Sequence, residues 1–492
     1  MKIKRILSTA MALCIAAPMA VSFSAKAIEA VYGDANGDSA VNLSDMVTLS
    51  QFLHGRKSNI DLDLADINRD SSVDSLDLVQ LRKHLLSLIK NALKSSPVSA
   101  NSKNLTAGLN ENASDKGTKE IDDEFRLAHS QFALDLLKRE AKADENVMIS
   151  PYSIMQALGM LANGADGETL SQMEKAMGGT SLDQLNMYLK QWRINQPNEE
   201  YCKLNTANSI WARNDENRIK PTPEFLQTTA ESYNAEYYLA PFDNSTLDDV
   251  NSWINQKTDE MIPKVLDDID PNDIMYLINA VAFDAKWEDE YEKDMVRTYD
   301  FTNFNGEVQK AEMLCSNESF IIHDEHATGI YKYYEGRKYA FAALLPEENM
   351  TVNEYIDSLT PEHFSTLFKT PEAEKGNTAF VKMPKFKYSY ETKLKDTLAE
   401  IGMKDMFIPD VADLTKMTSV GKPFVGQVIH DTFIQLDEEG TKAAAVTVVV
   451  TKDNAVMMPK EEINFDRPFV YAIVDTETDM PVFIGTLMSI PE

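Results

Sequence analysis

Two copies of one loop pattern dominate the first hundred residues. Asp34-Ala-Asn36-Gly-Asp38 runs on to Asn42 and Asp45, and Asp66-Ile-Asn68-Arg-Asp70 runs on to Asp74 and Asp77. Each copy places oxygen-bearing side chains at loop positions 1, 3, 5, 9 and 12, and the copies start 32 residues apart. Calcium takes six to eight oxygens in a flexible cage, and this spacing wraps a chain around one ion before a helix begins. The loops depart from an EF-hand in ending on Asp rather than Glu, with Ser39 and Ser71 where that motif has Gly. A helix is expected after each, at about 44–53 and 75–88. One such loop is a turn rich in Asp; two in tandem predict a small domain held by two calcium ions.

The composition changes twice after that. Residues 93–120 lack aromatics and are crowded with Ser, Asn, Lys and Gly, which predicts a flexible linker. From Ile121 to Glu492 helical and strand patterns alternate unevenly, the mark of one large α+β domain. Phe125, Phe132, Leu136 and Leu137 share one helical face, as do Ile154, Leu158 and Leu161. Tyr339–Leu345, Ala379–Tyr390, Val428–Leu436 and Phe469–Val474 read as strands. The N-terminus carries Lys2, Lys4 and Arg5, an apolar run Ile6–Phe23 broken by Pro18, and Ala25-Lys26-Ala27. This is the pattern of a secretory signal at 1–27, so the expected compartment is extracellular and no membrane span is expected. The domains are therefore drawn as 1–27, 28–92, 93–120 and 121–492.

A net charge of −30 argues against nucleic acid or an anionic membrane as partner. Beyond the signal, Cys202 and Cys315 stand 113 positions apart without a framework spacing and are read as small buried residues. The large segment has no G-x-S-x-G, H-E-x-x-H, phosphate loop or C-x-x-C, so it is not expected to be an enzyme. Its unusual stretch is Glu438-Glu439-Gly440-Thr441-Lys442-Ala443-Ala444-Ala445-Val446-Thr447, continuing through Val448–Val450 and Thr451. From Thr441 on, every residue except Lys442 is small or β-branched. At period two, Thr441, Ala443, Ala445 and Thr447 share a face narrow enough to slip between neighbouring strands. Gly440 provides the hinge. The segment itself is compatible with an ordinary strand and tight turn as much as with an insertable one.

The tandem loops resemble a dockerin domain over about residues 31–91. That resemblance implies two antiparallel helices, two calcium ions, and docking onto a cohesin module of a scaffolding protein in a cellulosome. Its partner-contacting positions, 10 and 11 of each loop, fall on Leu43 and Ser44, and on Ser75 and Leu76. The larger segment resembles a serpin over 121–492. The matching pieces run in order: Asn146-Val-Met-Ile-Ser150-Pro151-Tyr-Ser153-Ile154, Gly164-Ala-Asp-Gly167-Glu-Thr169, Asn279-Ala-Val-Ala-Phe283 with Trp287, Met383-Pro-Lys385-Phe386, Ala412-Asp413-Leu414, His430-Asp-Thr-Phe433 and Phe465-Asp-Arg-Pro468-Phe469. Asp284-Ala285 replaces the usual Lys-Gly, and Asp466-Arg467 stands where Asn-His or a similar pair is common.

The serpin resemblance implies about nine helices, three β-sheets and an exposed reactive loop at roughly 440–458. It also implies a monomer that traps a serine or cysteine protease when the cleaved loop enters the large sheet. The hinge is then Glu438, Glu439, Gly440, Thr441, Ala443, Ala444 and Ala445. Ser150, Ser153, Asn279 and His430 match the shutter that controls sheet opening, and Glu438, Lys385 and Trp287 the breach where the loop first enters. Counting forward from Gly440 puts the scissile bond at Asn454–Ala455, and counting back from Pro468 puts it at Met457–Met458. The later bond is favoured, because forward counting turns the Asp453 carboxylate inward. Its apolar flank, Ala455-Val456-Met457, suits an extracellular subtilisin-, elastase- or chymotrypsin-like enzyme. The alternatives are a non-inhibitory serpin serving as a scaffold component, and a carbohydrate-active enzyme of the kind dockerins usually carry. The intact small residues of the hinge speak against the first, and the missing catalytic constellation against the second.

Overall fold

The computed structural model describes residues 35–36, 41, 43–56, 60–67, 72–82, 98–99, 101–109, 117–199, 201–270, 272–371, 378–441 and 461–491. The expected signal at 1–27 lies outside them, as do Asp34, Asp38, Asn42, Asn68, Asp70, Ala443, Ala444, Ala445, Asn454, Ala455, Met457 and Met458. The chain divides into two compact units, 1–96 and 97–492. Among the described residues no helix is long and apolar enough to cross a membrane.

In the smaller unit a helix spans Leu43–Leu53, a short one Leu62–Ala65, and another begins at residue 75. Ala35, Leu49, Ala65 and Leu81 form its buried centre, with Val41, Met46, Leu53, Ile67 and Leu78 packed around them. Among the described residues this core is small, and a bound metal is one way in which small folds gain stability.

Among the described residues the larger unit is built on eighteen strands. They are β1 (Lys103–Asn104), β2 (Val147–Ile149), β3 (Asn198–Glu199), β4 (Cys202–Arg213), β5 (Glu236–Ala240) and β6 (Met275–Lys286). Then come β7 (Val296–Thr302), β8 (Val308–Glu318), β9 (Ile321–His323), β10 (Ala327–Tyr333), β11 (Tyr339–Pro346) and β12 (Ala379–Pro384). The last six are β13 (Phe386–Lys393), β14 (Gln427–Leu436), β15 (Gly440–Thr441), β16 (Glu461–Asn464), β17 (Phe469–Asp475) and β18 (Met480–Leu487). They form three sheets: an eight-stranded one in the order β1-β5-β4-β6-β15-β14-β13 with β3 beside β4, a six-stranded one β2-β18-β17-β11-β10-β9, and a four-stranded one β16-β12-β8-β7. Nine α-helices lie among the described residues of this unit. The α+β architecture is the one the serpin resemblance implies.

Helix α1 (Asp123–Glu140) starts where Asp122 Oδ1 accepts the amide of Phe125 at 3.0 Å, and buries Phe125, Phe132, Leu136 and Leu137. Helix α2 (Pro151–Ala162) has Ser150 as its cap and proline at its first turn, and it is buried on every side rather than on one face. It packs behind the large sheet. Helix α3 (Asn244–Lys257) covers the opposite face, where Val250, Trp253 and Ile254 meet Trp211, Tyr238, Ile278 and Ala280. Strand β6 runs through the middle and is buried almost end to end, as a strand covered on both faces must be.

Two expectations are corrected. Ala379–Tyr390 is two strands, not one: β12 and β13 belong to different sheets and part at Lys385, whose amide donates to Glu312 O at 2.8 Å. The linker expected at 93–120 is also shorter, because residues 98–109 belong to the larger unit. There β1 pairs antiparallel with β5 (Lys103↔Leu239, Asn104↔Tyr238), and Leu105 N donates to Tyr237 O at 2.8 Å. Ser99 N, Ser99 Oγ and Ser102 Oγ all donate to the Asp249 carboxylate of α3, at 2.6, 2.8 and 2.6 Å. Val98 packs into the cluster under α3, and Gln227 Nε2 donates to Leu109 O at 3.2 Å. Polar composition predicts disorder for a segment that must make its own core; this one uses the edge of an existing sheet.

Candidate functional site

Strands β6 and β14 run parallel and are paired from Tyr276↔Gln427 to Ala282↔Phe433. Beyond that they diverge, and Gly440–Thr441 fills the gap. Gly440 pairs with Lys286, and Thr441 with Ala285 on one side and Leu436 on the other. The turn back from β14 is closed by Asp437 N donating to Gly440 O and Glu439 N donating to Asp437 Oδ1, both at 3.0 Å. Only glycine fits at 440, since a Cβ there would stand 2.0 Å from Ala285 O. Thr441 is fully buried and faces inward, as period-two alternation predicts.

The expected breach residues converge on this wedge. Trp287 N donates to Glu439 O and its Nε1 to Asp437 O, both at 2.9 Å, while Tyr291 N donates to Glu438 O at 3.0 Å. Lys385 Nζ stands 2.9 Å from Glu438 Oε2 and 3.3 Å from Glu312 Oε2. Partial burial pushes the Glu438 carboxyl up, but its bond to Lys385 outweighs that and holds it below the usual range. The divided strand explains Lys385: the break at β12–β13 aims its ammonium at the turn. Tyr334, Tyr291 and Glu312 also belong here. Tyr334 OH lies 2.6 Å from Thr441 Oγ1, the two hydroxyls being buried together. The sequence does not mark these three, because tyrosines and a glutamate in strand-rich sequence carry no spacing signal.

The four residues expected to form the shutter also come together, below the point where the strands diverge. Ser150 N donates to His430 Nε2 at 3.0 Å, so the proton sits on Nδ1, which donates to Asn279 Oδ1 at 2.6 Å. Asn279 Nδ2 donates to Ser153 Oγ at 2.5 Å, to Ser153 O at 3.0 Å and to Asn208 Oδ1 at 2.5 Å. Ser150 Oγ donates to Val482 O at 2.7 Å. His430 faces Asn279 across β14 and β6, and Asn279 faces Asn208 across β6 and β4. One network thus ties α2 to three adjacent strands of the large sheet. Complete burial lowers the His430 pKa to about 3, which keeps the ring neutral and able to accept from Ser150. Asn208 is the member that the sequence did not reveal; an asparagine in the largely buried run of β4 was its only trace.

In the smaller unit, Asp45 and Asp77, at position 12 of each loop, are fully buried. Asn36 N donates to Asp45 Oδ1 at 3.0 Å; Ile67 N and Asp74 N donate to the two oxygens of Asp77, both at 2.8 Å. Two carboxylates at 0% exposure in acidic loops fit a cation, because burying such charge without one is costly. Asn36, Asp66 and Asp74 lie in the same loops with intermediate burial. Calcium would draw on their oxygens and would supply fold rather than catalysis. Ser44, Ser75 and Leu76 are exposed. Cys202 and Cys315 are buried and unbridged, and burial raises both thiols.

Comparison with known proteins agrees with this geometry. A family model described as serpin (serine protease inhibitor) matches residues 127–490, and one for the dockerin type I domain matches 32–86. Leukocyte elastase inhibitor of Equus caballus is 28% identical over 75% of this chain and all of its own length. An uncharacterized serpin-like protein of Methanosarcina acetivorans is also 28% identical, over 74% of this chain and 86% of its own. Among solved structures, the thermophilic serpin tengpin in its native state aligns with TM-score 0.74 and 44% identity, covering 80% of this chain and 100% of that one. Its latent state aligns with TM-score 0.66 over 76% of this chain. The chain belongs to the serpin family, and it carries a type I dockerin domain ahead of the serpin body.

Proposed function

We propose that this protein is a secreted inhibitor that traps an extracellular serine protease as a covalent acyl complex, and that its dockerin fixes it to a cohesin-bearing scaffold of a cellulosome. One observation carries the reading: the hinge is already seated between β6 and β14, at the upper end of the seam through which a strand must enter. The protease Ser Oγ adds to the carbonyl carbon of Met457. The Met457–Met458 amide breaks, its nitrogen leaves as the protonated amine of Met458, and an ester tethers the enzyme to Met457. The freed segment then follows Thr441 into the sheet. Residues 440–457 at ~3.3 Å per residue carry the tethered enzyme about 55 Å, and the pull spoils the oxyanion geometry that deacylation requires.

The apolar residues before Met458 and the likeness to elastase inhibitors support an elastase-, chymotrypsin- or subtilisin-like target. A cysteine protease would form the corresponding thioester. For the dockerin, Val47 and Val79 occupy equivalent places in the two copies, and both are exposed, as is Leu76. Apolar side chains repeated on a small domain's surface suit a docking face that includes Leu43, Ser44, Ser75 and Leu76, with two calcium ions holding the loops.

The test is to mix the purified chain with subtilisin, elastase and chymotrypsin, and to look for an SDS-resistant adduct with the new N-terminus at Met458. Cleaved inhibitor beside fully active protease would show a non-inhibitory serpin instead.

A further inference from the structure

We propose that the Tyr334 hydroxyl is a latch that holds Thr441 between β6 and β14 before any protease arrives, so that insertion continues a strand already begun. The inference rests on the loop-insertion reading and assigns a positioning role within it.

Tyr334 is built to aim one atom. Its ring is completely buried and stacks on Trp287, with centroids 4.5 Å apart and planes 6° apart, and it meets Phe283 edge-on at 5.1 Å. Its backbone is tied to the end of β6 and to the next strand. Tyr334 N donates to Tyr339 O at 3.0 Å, Glu288 N to Tyr333 O at 3.1 Å, and Glu335 N to Lys286 O at 2.8 Å. Trp287 is pinned in turn by its bonds to Asp437 O and Glu439 O. A ring so held leaves its hydroxyl little freedom, and that hydroxyl lies 2.6 Å from Thr441 Oγ1.

The pairing is asymmetric in effect. If Thr441 withdrew from the sheet, the Tyr334 hydroxyl would stay behind in a buried apolar site without its partner, which is costly. If instead the loop advanced, Thr441 would keep its place and the bond would survive. The contact therefore opposes retreat without opposing insertion. It also accounts for a hydroxyl at the head of a run otherwise dominated by alanine and valine. Alanine at 441 would suit the narrow face equally well but could not satisfy Tyr334.

Tyr334→Phe keeps the ring and its stacking, Thr441→Val keeps the shape of the threonine, and Thr441→Ser keeps the hydroxyl. Amide exchange of a peptide covering 437–441, measured without protease, should quicken about three- to ten-fold in Tyr334→Phe and in Thr441→Val, the size of one lost buried hydrogen bond. Thr441→Ser should stay near wild type, and a peptide around His430 should not change in any of them. With protease, the first two variants should consume more inhibitor molecules per enzyme trapped, and the double variant should be no worse than either single one. Unchanged hinge exchange in Tyr334→Phe, or additive effects in the double variant, would overturn the latch. A wild-type chain that never forms the adduct would instead overturn the insertion reading, while the exchange measurement still decides the latch.

Discussion

The same two strands, β6 and β14, are held in opposite ways along their length. At the shutter they are directly paired, and a buried network from Ser150 through His430 and Asn279 to Asn208 stitches them to α2 and β4. At the breach they stand apart, and the gap is filled by two residues of the loop. The shutter consists of neutral side chains with every bond internal to the body. The breach is closed by Gly440 and Thr441, the start of the segment that the proposed function makes the protease bait. On the proposed insertion mechanism the sheet needs both: a closed seam to keep the body intact, and one started end to set where opening begins.

The largest expected effect comes from spoiling the started end. Thr441→Arg would force a guanidinium into a site with no exposure, a cost of about 3–5 kcal/mol for an uncompensated buried charge. Adduct formation should fall by about 100-fold or more, while cleavage of the loop by the same protease continues. A gel with undiminished SDS-resistant adduct would show that the breach is not where insertion starts.

The shutter is tested by pH. The unfolded chain takes up an imidazole proton below about pH 6.5, whereas folded His430 refuses it until about pH 3. The folded form is therefore favoured by His430 above that window and loses about 1.4 kcal/mol per pH unit as pH falls through it. His129, also lowered to about 3 by burial, acts in the same direction. Asp431, pushed up to about 8 by burial and by Glu391, acts in the opposite one, so the slope of the wild type alone is a mixture. The stability difference between wild type and His430→Gln, from urea midpoints, isolates the shutter. It should be constant above pH 7 and shrink by about 1.4 kcal/mol per unit between pH 6.5 and 5. A difference that does not change with pH would mean that the ring is not held neutral by the fold.

The smallest effect is expected at Lys385. Its partners Glu438 and Glu312 are partly in water, so Lys385→Met should cost less than about 1 kcal/mol in thermal unfolding and change the trapping rate by less than about five-fold. Loss of trapping in that variant would move the weight of the breach from its buried contacts to its charges.

Much of this was legible in sequence, but unevenly. Ser150, Ser153, Asn279 and His430 converge because each lies in a stretch matching the family pattern, and period two put Thr441 on the inward face. What stayed hidden needed the third dimension. Asn208 and Tyr334 matter through what lies across a strand gap, and nothing in their neighbours along the chain shows that. Lys385 is legible in the sequence but the break that aims it is not, because Ala379–Tyr390 alternates like one strand while serving two sheets. Residues 98–109 read as linker for a related reason: composition measures what a segment can bury alone, not what a neighbouring edge lends it.

That segment has one more consequence. The outermost strand of a sheet presents a row of unused amide and carbonyl groups, which invites pairing with another polypeptide. Here β5 would be that strand, and the chain covers it with its own residues 103–106, using backbone at Tyr237–Leu239 and the Thr106 hydroxyl on Tyr237 N at 3.1 Å. A capped margin of this kind discourages templated association between copies of the chain. Residues 103–106 thus leave the large sheet with a margin only two paired residues long.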